Sequence, residues 1–215
     1  FHIGTVKTTL GRYSEAIRDL QESLGINRRL KNDVGISNAL ATLGQAYNMS
    51  GNYRQAAGHY DEAVAIQRRS RLDEDLCSSL NRKGLNEFDL RRIPSALTTF
   101  DEALKIARRL GDKRQEANIL NNIGVVLKDA GQYEQARNHY QQALALAQQL
   151  GRKGMQAVAS NNIGDVYAAL GQQDKALAFY QESLRINREI GARQDIATNL
   201  NNIAMVYYQT KRYDD

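Results

Sequence analysis

Apolar positions along the chain follow the spacing of amphipathic helices. In residues 117–150 they share the i, i+3, i+4, i+7 pattern of a helix with one buried face: Ile119, Leu120, Ile123, Val126 and Leu127. A turn at Gly131 separates this stretch from a second apolar helix pattern, and glycine after a helical stretch is typical of a helix end. The sequence carries no strand signal, so it predicts an all-α protein.

The same landmarks return every 40 residues without insertion or deletion. One position of the repeat, or register, always holds a small residue: Gly4, Gly44, Gly84, Gly124, Gly164 and Ala204. A second register is alanine, and a third is mostly aromatic: Ala16, Ala56, Ala96, Ala136 and Ala176; Leu20, Tyr60, Phe100, Tyr140 and Tyr180. A fixed period of this size predicts a solenoid in which each repeat packs only on its neighbours.

We therefore expect a single array over 1–215. Its full repeats are 37–76, 77–116, 117–156 and 157–196, with partial repeats at 1–36 and 197–215. Both ends fall inside a repeat, so we expect a fragment of a longer protein. The uncovered end repeats predict self-association through the ends of the array.

One repeat shows a pattern that resembles the tetratricopeptide repeat (TPR). Its spaced small and aromatic residues are Gly164, Tyr167, Gly171, Ala176, Tyr180 and Ser183. The usual proline after the second helix is missing, and Arg188 stands there, so the helix is predicted to continue to Gly191. With their Asn-Asn-Ile-Gly opening, these long repeats resemble those of kinesin light chain, Pins-type adaptors and bacterial signalling TPR proteins. The resemblance implies a right-handed α-solenoid whose first helices line a concave groove that binds peptides.

Helical geometry selects candidate groove residues on the first helix of each repeat. If Ile123 and Leu127 face the partner helix, Asn121, Val125 and Lys128 project toward the groove. Carried to the other repeats, the resemblance implies these ligand-binding residues: Asn48, Asn81, Leu85, Phe88, Asn121, Val125, Lys128, Asn161, Asp165, Asn201, Met205 and Tyr208. Asparagine can donate and accept along a peptide backbone. The alternative is that the asparagines bond between neighbouring helices, or recur only because repeats were duplicated.

The third repeat departs from the pattern at three positions. Lys83, Asn86 and Glu87 replace residues that are apolar or aromatic in other repeats, and Lys83 and Glu87 can pair at i, i+4. Leu85 and Phe88 bring apolar surface toward the groove. One interpretation is a drifted repeat with a wet interior, and the other is a specialised repeat with an apolar anchor pocket.

Charge adds a competing hypothesis. The net charge is +5, and many cations recur near the end of the second helices: Arg28-Arg29, Arg68-Arg69, Arg108-Arg109 and Arg188. Cations there offset the negative end of the helix dipole. A solvated helix-end role is favoured over nucleic-acid binding, because no aromatic residues interleave with the cations.

No arrangement of residues predicts a catalytic site, a metal site or a cofactor. Cys77 occupies a position that is otherwise small, and His59 and His139 recur at one repeat position. A single cysteine fits a reducing compartment, and no apolar run reaches about 18 residues. We therefore expect a cytoplasmic protein without membrane contact and without enzyme activity in this segment.

These observations favour a protein–protein interaction scaffold that binds a peptide or helical segment of a partner. The alternative is a regulatory or sensor region of a larger bacterial signalling enzyme, such as a kinase, cyclase or protease. Nucleic-acid binding ranks below both.

Overall fold

The computed structural model describes residue 8 and residues 11–212. These residues form ten α-helices and no strand: α1 (Tyr13–Arg29), α2 (Asp33–Met49), α3 (Tyr53–Arg69), α4 (Asp73–Asp89), α5 (Ile93–Leu110), α6 (Lys113–Asp129), α7 (Tyr133–Gln149), α8 (Lys153–Ala169), α9 (Gln173–Ile190) and α10 (Arg193–Thr210). The all-α prediction is confirmed. Helices begin every 20 residues, so the 40-residue period is not visible in helix positions and stays a feature of the sequence. Gly4 lies outside the described residues.

The chain separates into two compact units. Unit 1 ends at Gly111 and holds α1–α5, and unit 2 begins at Asp112 and holds α6–α10. Within each unit every helix packs against the next, as in an α-solenoid. The even-numbered helices, hereafter the first helices, also contact each other: α2 touches α4, and α6 touches α8. The odd-numbered helices are the second helices.

Short turns join the helices through a residue with left-handed backbone conformation. Gly131 adopts φ 73° after α6, as the sequence predicted. Arg91 takes the same role after α4 at φ 60°, without the glycine that relieves this conformation. Helix α9 continues past Arg188 to Ile190, and Gly191, which follows it, is also left-handed. The predicted extension of that helix is confirmed.

Within each of the four full repeats the two helices approach closely where a glycine meets an aromatic ring. A Cβ atom added to Gly124 would lie 2.5 Å from Cε1 of Tyr140, and one added to Gly44 would lie 2.7 Å from Cε1 of Tyr60. The rings themselves are buried. The small and aromatic registers of the sequence are therefore two sides of one contact, which sets the spacing of the two helices.

Candidate ligand-binding face of the first helices

The twelve predicted groove residues all lie on first helices, and we call them the first-helix face. Unit 1 carries four of them on α2 and α4, and unit 2 carries eight on α6, α8 and α10. Asn201, Met205 and Tyr208 are exposed, and the other nine are half-buried. Because α2 contacts α4 and α6 contacts α8, neighbouring repeats of one unit bring their predicted residues onto adjacent helices.

Asparagines of unit 2 form hydrogen bonds between successive first helices. Asn162 Nδ2 donates to Asn121 Oδ1 at 2.9 Å, and Asn202 Nδ2 donates to Asn161 Oδ1 at 3.0 Å. Both bonds join residues 41 positions apart, so they are the same contact in consecutive repeats. The alternative role considered for these asparagines, bonding between helices, is therefore present. Each bond uses the side-chain oxygen of Asn121 or Asn161 as the acceptor. The NH2 group of that side chain takes no part in the bond.

Unit 1 has a hydrogen bond with the same residue spacing, and it also carries the apolar pair Leu85 and Phe88. Asn48 Nδ2 donates to Asp89 Oδ2 at 2.9 Å, again across 41 residues. Leu85 and Phe88 lie half-buried on α4, and Arg91 Cζ is 6.0 Å from the Phe88 ring centroid. A guanidinium at this distance makes a weak cation–π contact. Their role as an anchor stays a prediction.

Lys128 and Asp165 pair across the first helices of unit 2. Lys128 Nζ lies 2.7 Å from Asp165 Oδ2, and the Tyr180 hydroxyl donates to Asp165 Oδ1 at 3.0 Å. Burial raises the pKa of Tyr180 above its ordinary value, and the neighbouring Asp165 carboxylate raises it further. The hydroxyl therefore stays protonated and keeps donating. Lys128 and Asp165, both predicted to bind a ligand, thus form an ion pair with each other.

A small polar pocket lies where α8, α9 and α10 meet. Its central residue, Asn199, was not predicted from the sequence. The pocket, of about 80 Å³, is lined by Asn161, Asn187 and Asn199 among others. Asn199 Nδ2 donates to Asn161 Oδ1 at 3.0 Å, and Asn187 Nδ2 donates to Asn199 Oδ1 at 2.8 Å. Asn199 stands where the earlier repeats have Ala39, Ser79, Ile119 and Ala159, so an amide at a position without one in those repeats was the available signal.

The polar residues of the third repeat find partners that sequence spacing did not identify. Lys83 Nζ lies 2.6 Å from Asp61 Oδ1 on α3 and 3.9 Å from Glu87 Oε1. The predicted i, i+4 pair therefore exists, but the closer partner belongs to another helix. Glu87 Oε2 accepts from Thr99 Oγ1 at 2.7 Å. Asn86 Nδ2 donates to Tyr53 O at 3.0 Å, while its buried Oδ1 has no partner. The interior of this repeat is polar, and both interpretations of it remain.

Two sets of ion pairs engage arginines of the helix-end group. In unit 1, Arg28 and Arg68 reach across to Glu62 and Glu102 of the next second helix, each at 2.6 Å. The second set joins the start of a first helix to the end of the second helix that follows it: Asp33–Arg69 at 3.2 Å, Asp73–Arg109 at 2.9 Å and, with the charges reversed, Lys153–Glu189 at 3.5 Å. These carboxylates offset much of the positive field that nucleic-acid binding needs.

The residues considered for metal binding or reactivity lie apart from one another in the part of the chain that the structure describes. Within it, no cluster of three or more His, Cys, Asp or Glu side chains could hold a metal ion. Cys77 is buried, and its thiol lies 3.4 Å from Ala103 O, so the side chain packs inside the repeat as residues at this otherwise small position do. His59 stacks on Tyr47 with the ring centroids 5.2 Å apart. None of the described helices has the length and apolar character to cross a membrane.

Two features define the class of protein. Each of the four full repeats pairs its helices through a glycine–aromatic contact, and first helices of neighbouring repeats contact each other, as in helical repeat proteins. The particular family follows from the sequence match. A model of the tetratricopeptide repeat matches residues 1–69, 75–149 and 150–215. The chain belongs to this family, as the sequence pattern predicted. No curated protein matches the chain significantly.

Several solved structures have the same fold, and three of them are described here. A Signal Transduction ATPase with Numerous Domains (STAND) with a tetratricopeptide repeat sensor, from Pyrococcus horikoshii, is similar with TM-score 0.85 and 20% identity, over 96% of this chain and 32% of that chain. A kinesin light chain-like protein with nearly identical TPR-like repeats, from Podosopora anserina, has TM-score 0.72 and 16% identity, over 88% of this chain and 93% of that chain. A Rap protein complexed with Competence and Sporulation Factor has TM-score 0.81 and 16% identity, over 97% and 62%. At these identities the likeness shows the fold.

Proposed function

We propose that the first-helix face binds an extended segment of a partner protein. The observation that carries this is the arrangement of Asn121 and Asn161 on the adjacent helices α6 and α8. Each uses its Oδ1 to accept a bond from the next first helix, which fixes the side-chain orientation. The NH2 groups then remain to donate to carbonyl oxygens of a peptide backbone, whatever its side chains.

Two features of relatives support the proposal. The tetratricopeptide repeat family typically serves protein–protein interaction. One structural neighbour, the Rap protein, was solved in complex with Competence and Sporulation Factor. That ligand belongs to the neighbour, and the partner of this chain is expected to differ, because only 16% of residues are identical.

The test distinguishes the NH2 donor of Asn121 from the hydrogen bond that its Oδ1 accepts from Asn162. A linear peptide selected from a random library for binding to the chain serves as the probe. Asn121→Asp keeps an oxygen that accepts from Asn162 and removes the NH2 donor. We expect it to weaken peptide binding by roughly threefold to tenfold, the value of one ordinary hydrogen bond. The measurement is isothermal titration calorimetry.

The matched control is Asn162→Ala, which removes the bond to Asn121 Oδ1 and keeps the Asn121 amide. Peptide affinity should fall less than in Asn121→Asp. If Asn162→Ala abolishes binding while Asn121→Asp leaves it unchanged, the asparagines act only between helices and the proposal is wrong.

A second candidate function is that of a sensor region in a larger signalling protein. It is favoured by the STAND protein, in which a tetratricopeptide repeat sensor accompanies an ATPase and of whose length this chain spans about a third. Binding of a partner would then control an activity located elsewhere. The full-length gene product decides this, since a neighbouring catalytic domain supports the sensor role and its absence contradicts it.

A further inference from the structure

A second cavity lies among helices α7, α8 and α9 of unit 2, and none of its lining residues belongs to the first-helix face. Its volume is about 240 Å³. Leu144 of α7 and Ile186 of α9 form apolar walls together with Phe179, and Gln156 and Ser160 of α8 line it from the first helix. Gln156 and Ser160 are almost completely buried, at 9% and 1% exposure.

The cavity coincides with a local departure from the repeat sequence. Ser160 occupies the register position of Leu40, Leu80 and Leu120, all of which are fully buried. Replacing a core leucine by serine removes the side-chain volume that fills this space in the other repeats. A buried hydroxyl now stands where those repeats have a leucine side chain.

The mouth of the cavity also differs from the equivalent places in unit 1. There, Arg28–Glu62 and Arg68–Glu102 ion pairs bridge consecutive second helices. The corresponding residues at α7 and α9 are Gln148 and Glu182, which line the cavity. Glu182 instead pairs with Arg185 of its own helix at 2.7 Å. Two independent sequence changes therefore act together, one enlarging the interior and one removing the ion pair across the opening.

We propose that this cavity binds a tyrosine side chain presented by a protein partner. The apolar walls and Phe179 suit an aromatic ring, which prefers offset or edge contacts with another ring. Gln156 Nε2 donates to Ala147 O at 3.1 Å, which leaves its Oε1 available to accept, and Ser160 supplies a hydroxyl beside it. These groups match the polar tip of a phenol. The volume lies below the roughly 300–1,000 Å³ of pockets for whole drug-sized ligands, so a single side chain fits better.

The experiment uses p-cresol, the side-chain analogue of tyrosine, and ligand-observed NMR on the full chain. We expect saturable binding of p-cresol, and toluene should bind roughly twofold to tenfold more weakly because it lacks the hydroxyl. Equal binding of toluene would contradict recognition of a phenol. N-acetyl-tyrosinamide should bind at least as well as p-cresol. Failure of this compound where p-cresol binds would show a small-molecule pocket and overturn the assignment of a partner side chain.

Two variants locate the site. Ser160→Leu restores the residue of three sibling repeats and should abolish p-cresol binding while raising Tm. Gln148→Arg restores the partner of Glu182 across the mouth and should weaken binding without touching the interior, so the test stands even if the first variant folds poorly. Unchanged p-cresol binding in both variants would show that the ligand binds elsewhere and would overturn the proposal.

Discussion

Asparagine shows how strongly the setting of a residue determines its role in this molecule. Asn32 caps α2 by accepting from Gly35 N at 3.1 Å. Asn199 is almost completely buried and satisfies both its oxygen and its NH2 group within the protein. Asn121 and Asn161 are half-buried and engage their oxygens with neighbouring helices. Only this last setting holds a side chain in place while leaving a donor for a ligand.

Phe88 is the residue on which we expect specificity to depend. Phe88→Ala should weaken binding of the selected peptide by tens-fold, because hot spots of a desolvated aromatic cost on the order of 2 kcal/mol or more on truncation. Helicity should change little, since the ring is only half-buried. Titration calorimetry and circular dichroism measure the two effects.

The control for Phe88 is the double variant Arg108→Ala with Arg109→Ala. Arg109 pairs with Asp73 at the end of α5, so its loss should leave a peptide ligand nearly unaffected. If the arginine variant abolishes binding and Phe88→Ala is neutral, the basic helix ends are the binding site. Binding that falls steeply with salt would then indicate nucleic acid.

Substitution of Gly124 tests the glycine–aromatic contact that sets the spacing of the two helices. Gly124→Ala places a Cβ 2.5 Å from the Tyr140 ring, which is fully buried and cannot move freely. We expect a loss of about 1–3 kcal/mol in the free energy of unfolding, the usual cost of overpacking. Gly58→Ala on α3 meets no atom within 4 Å and should instead stabilise by about 0.5–1 kcal/mol. Urea denaturation distinguishes them, and equal effects would show that the close approach is unimportant.

At the scale of the helix, the start of α2 is tied to the end of α3. Ser70 Oγ donates to Asp33 Oδ2 at 2.8 Å, and Arg69 lies 3.2 Å from the same oxygen. The Ser70 bond, and then the Arg69 interaction, hold the pKa of Asp33 below its ordinary value. The contact joins the two ends of one helical hairpin across the surface.

Because the Asp33 pKa is lower in the folded chain, the ionised carboxylate stabilises the hairpin above the unfolded pKa of about 3.9. This contribution disappears as pH falls through the folded-state pKa. Ser70→Ala should raise the Asp33 pKa toward its ordinary value, measured by NMR titration of the side-chain carboxyl. Arg69→Ala should raise it less at moderate salt, since exposed pairs are screened. An unchanged Asp33 pKa in Ser70→Ala would contradict the assigned cause.

On the scale of the whole chain, protection from exchange should vary along the array. Helix α10 packs on α9 and exposes large apolar side chains, with Leu200 at 44%, Met205 at 56% and Tyr208 at 69%. Repeats draw stability from their neighbours, so amides of α10 should exchange faster than those of α8 in a dilute monomer. Hydrogen-exchange mass spectrometry measures this. Equal protection of the two helices would contradict it, and protection that rises with concentration would indicate association through this face.

The fold could be predicted from the sequence because the residues of the glycine–aromatic contact recur every 40 residues. Gly124 and Tyr140 alone would be ambiguous, but their counterparts 40 residues away leave one consistent arrangement. The positions of the candidate groove residues on first helices followed from the same register. Recurrence made a weak local signal reliable.

What could not be predicted lies where one repeat departs from the others. The partner of Lys83 is Asp61, which is on a different helix, and sequence spacing indicated only Glu87. The network of Asn187 and Asn199 also needs three helices to meet. A repeat pattern fixes what repeats share, while the partners of an exceptional side chain depend on geometry that only the folded chain supplies.

The reversed ion pair of unit 2 has a consequence for folding fidelity. Similar repeats can exchange helices during folding, and such swapped hairpins are a known failure of repeat proteins. If the first helix α2 docked on α9, Asp33 would meet Glu189, and if α8 docked on α3, Lys153 would meet Arg69. Both errors bring like charges together, whereas the correct pairs attract. Charge order thus disfavours the exchange of first helices between the α2–α3 and α8–α9 hairpins.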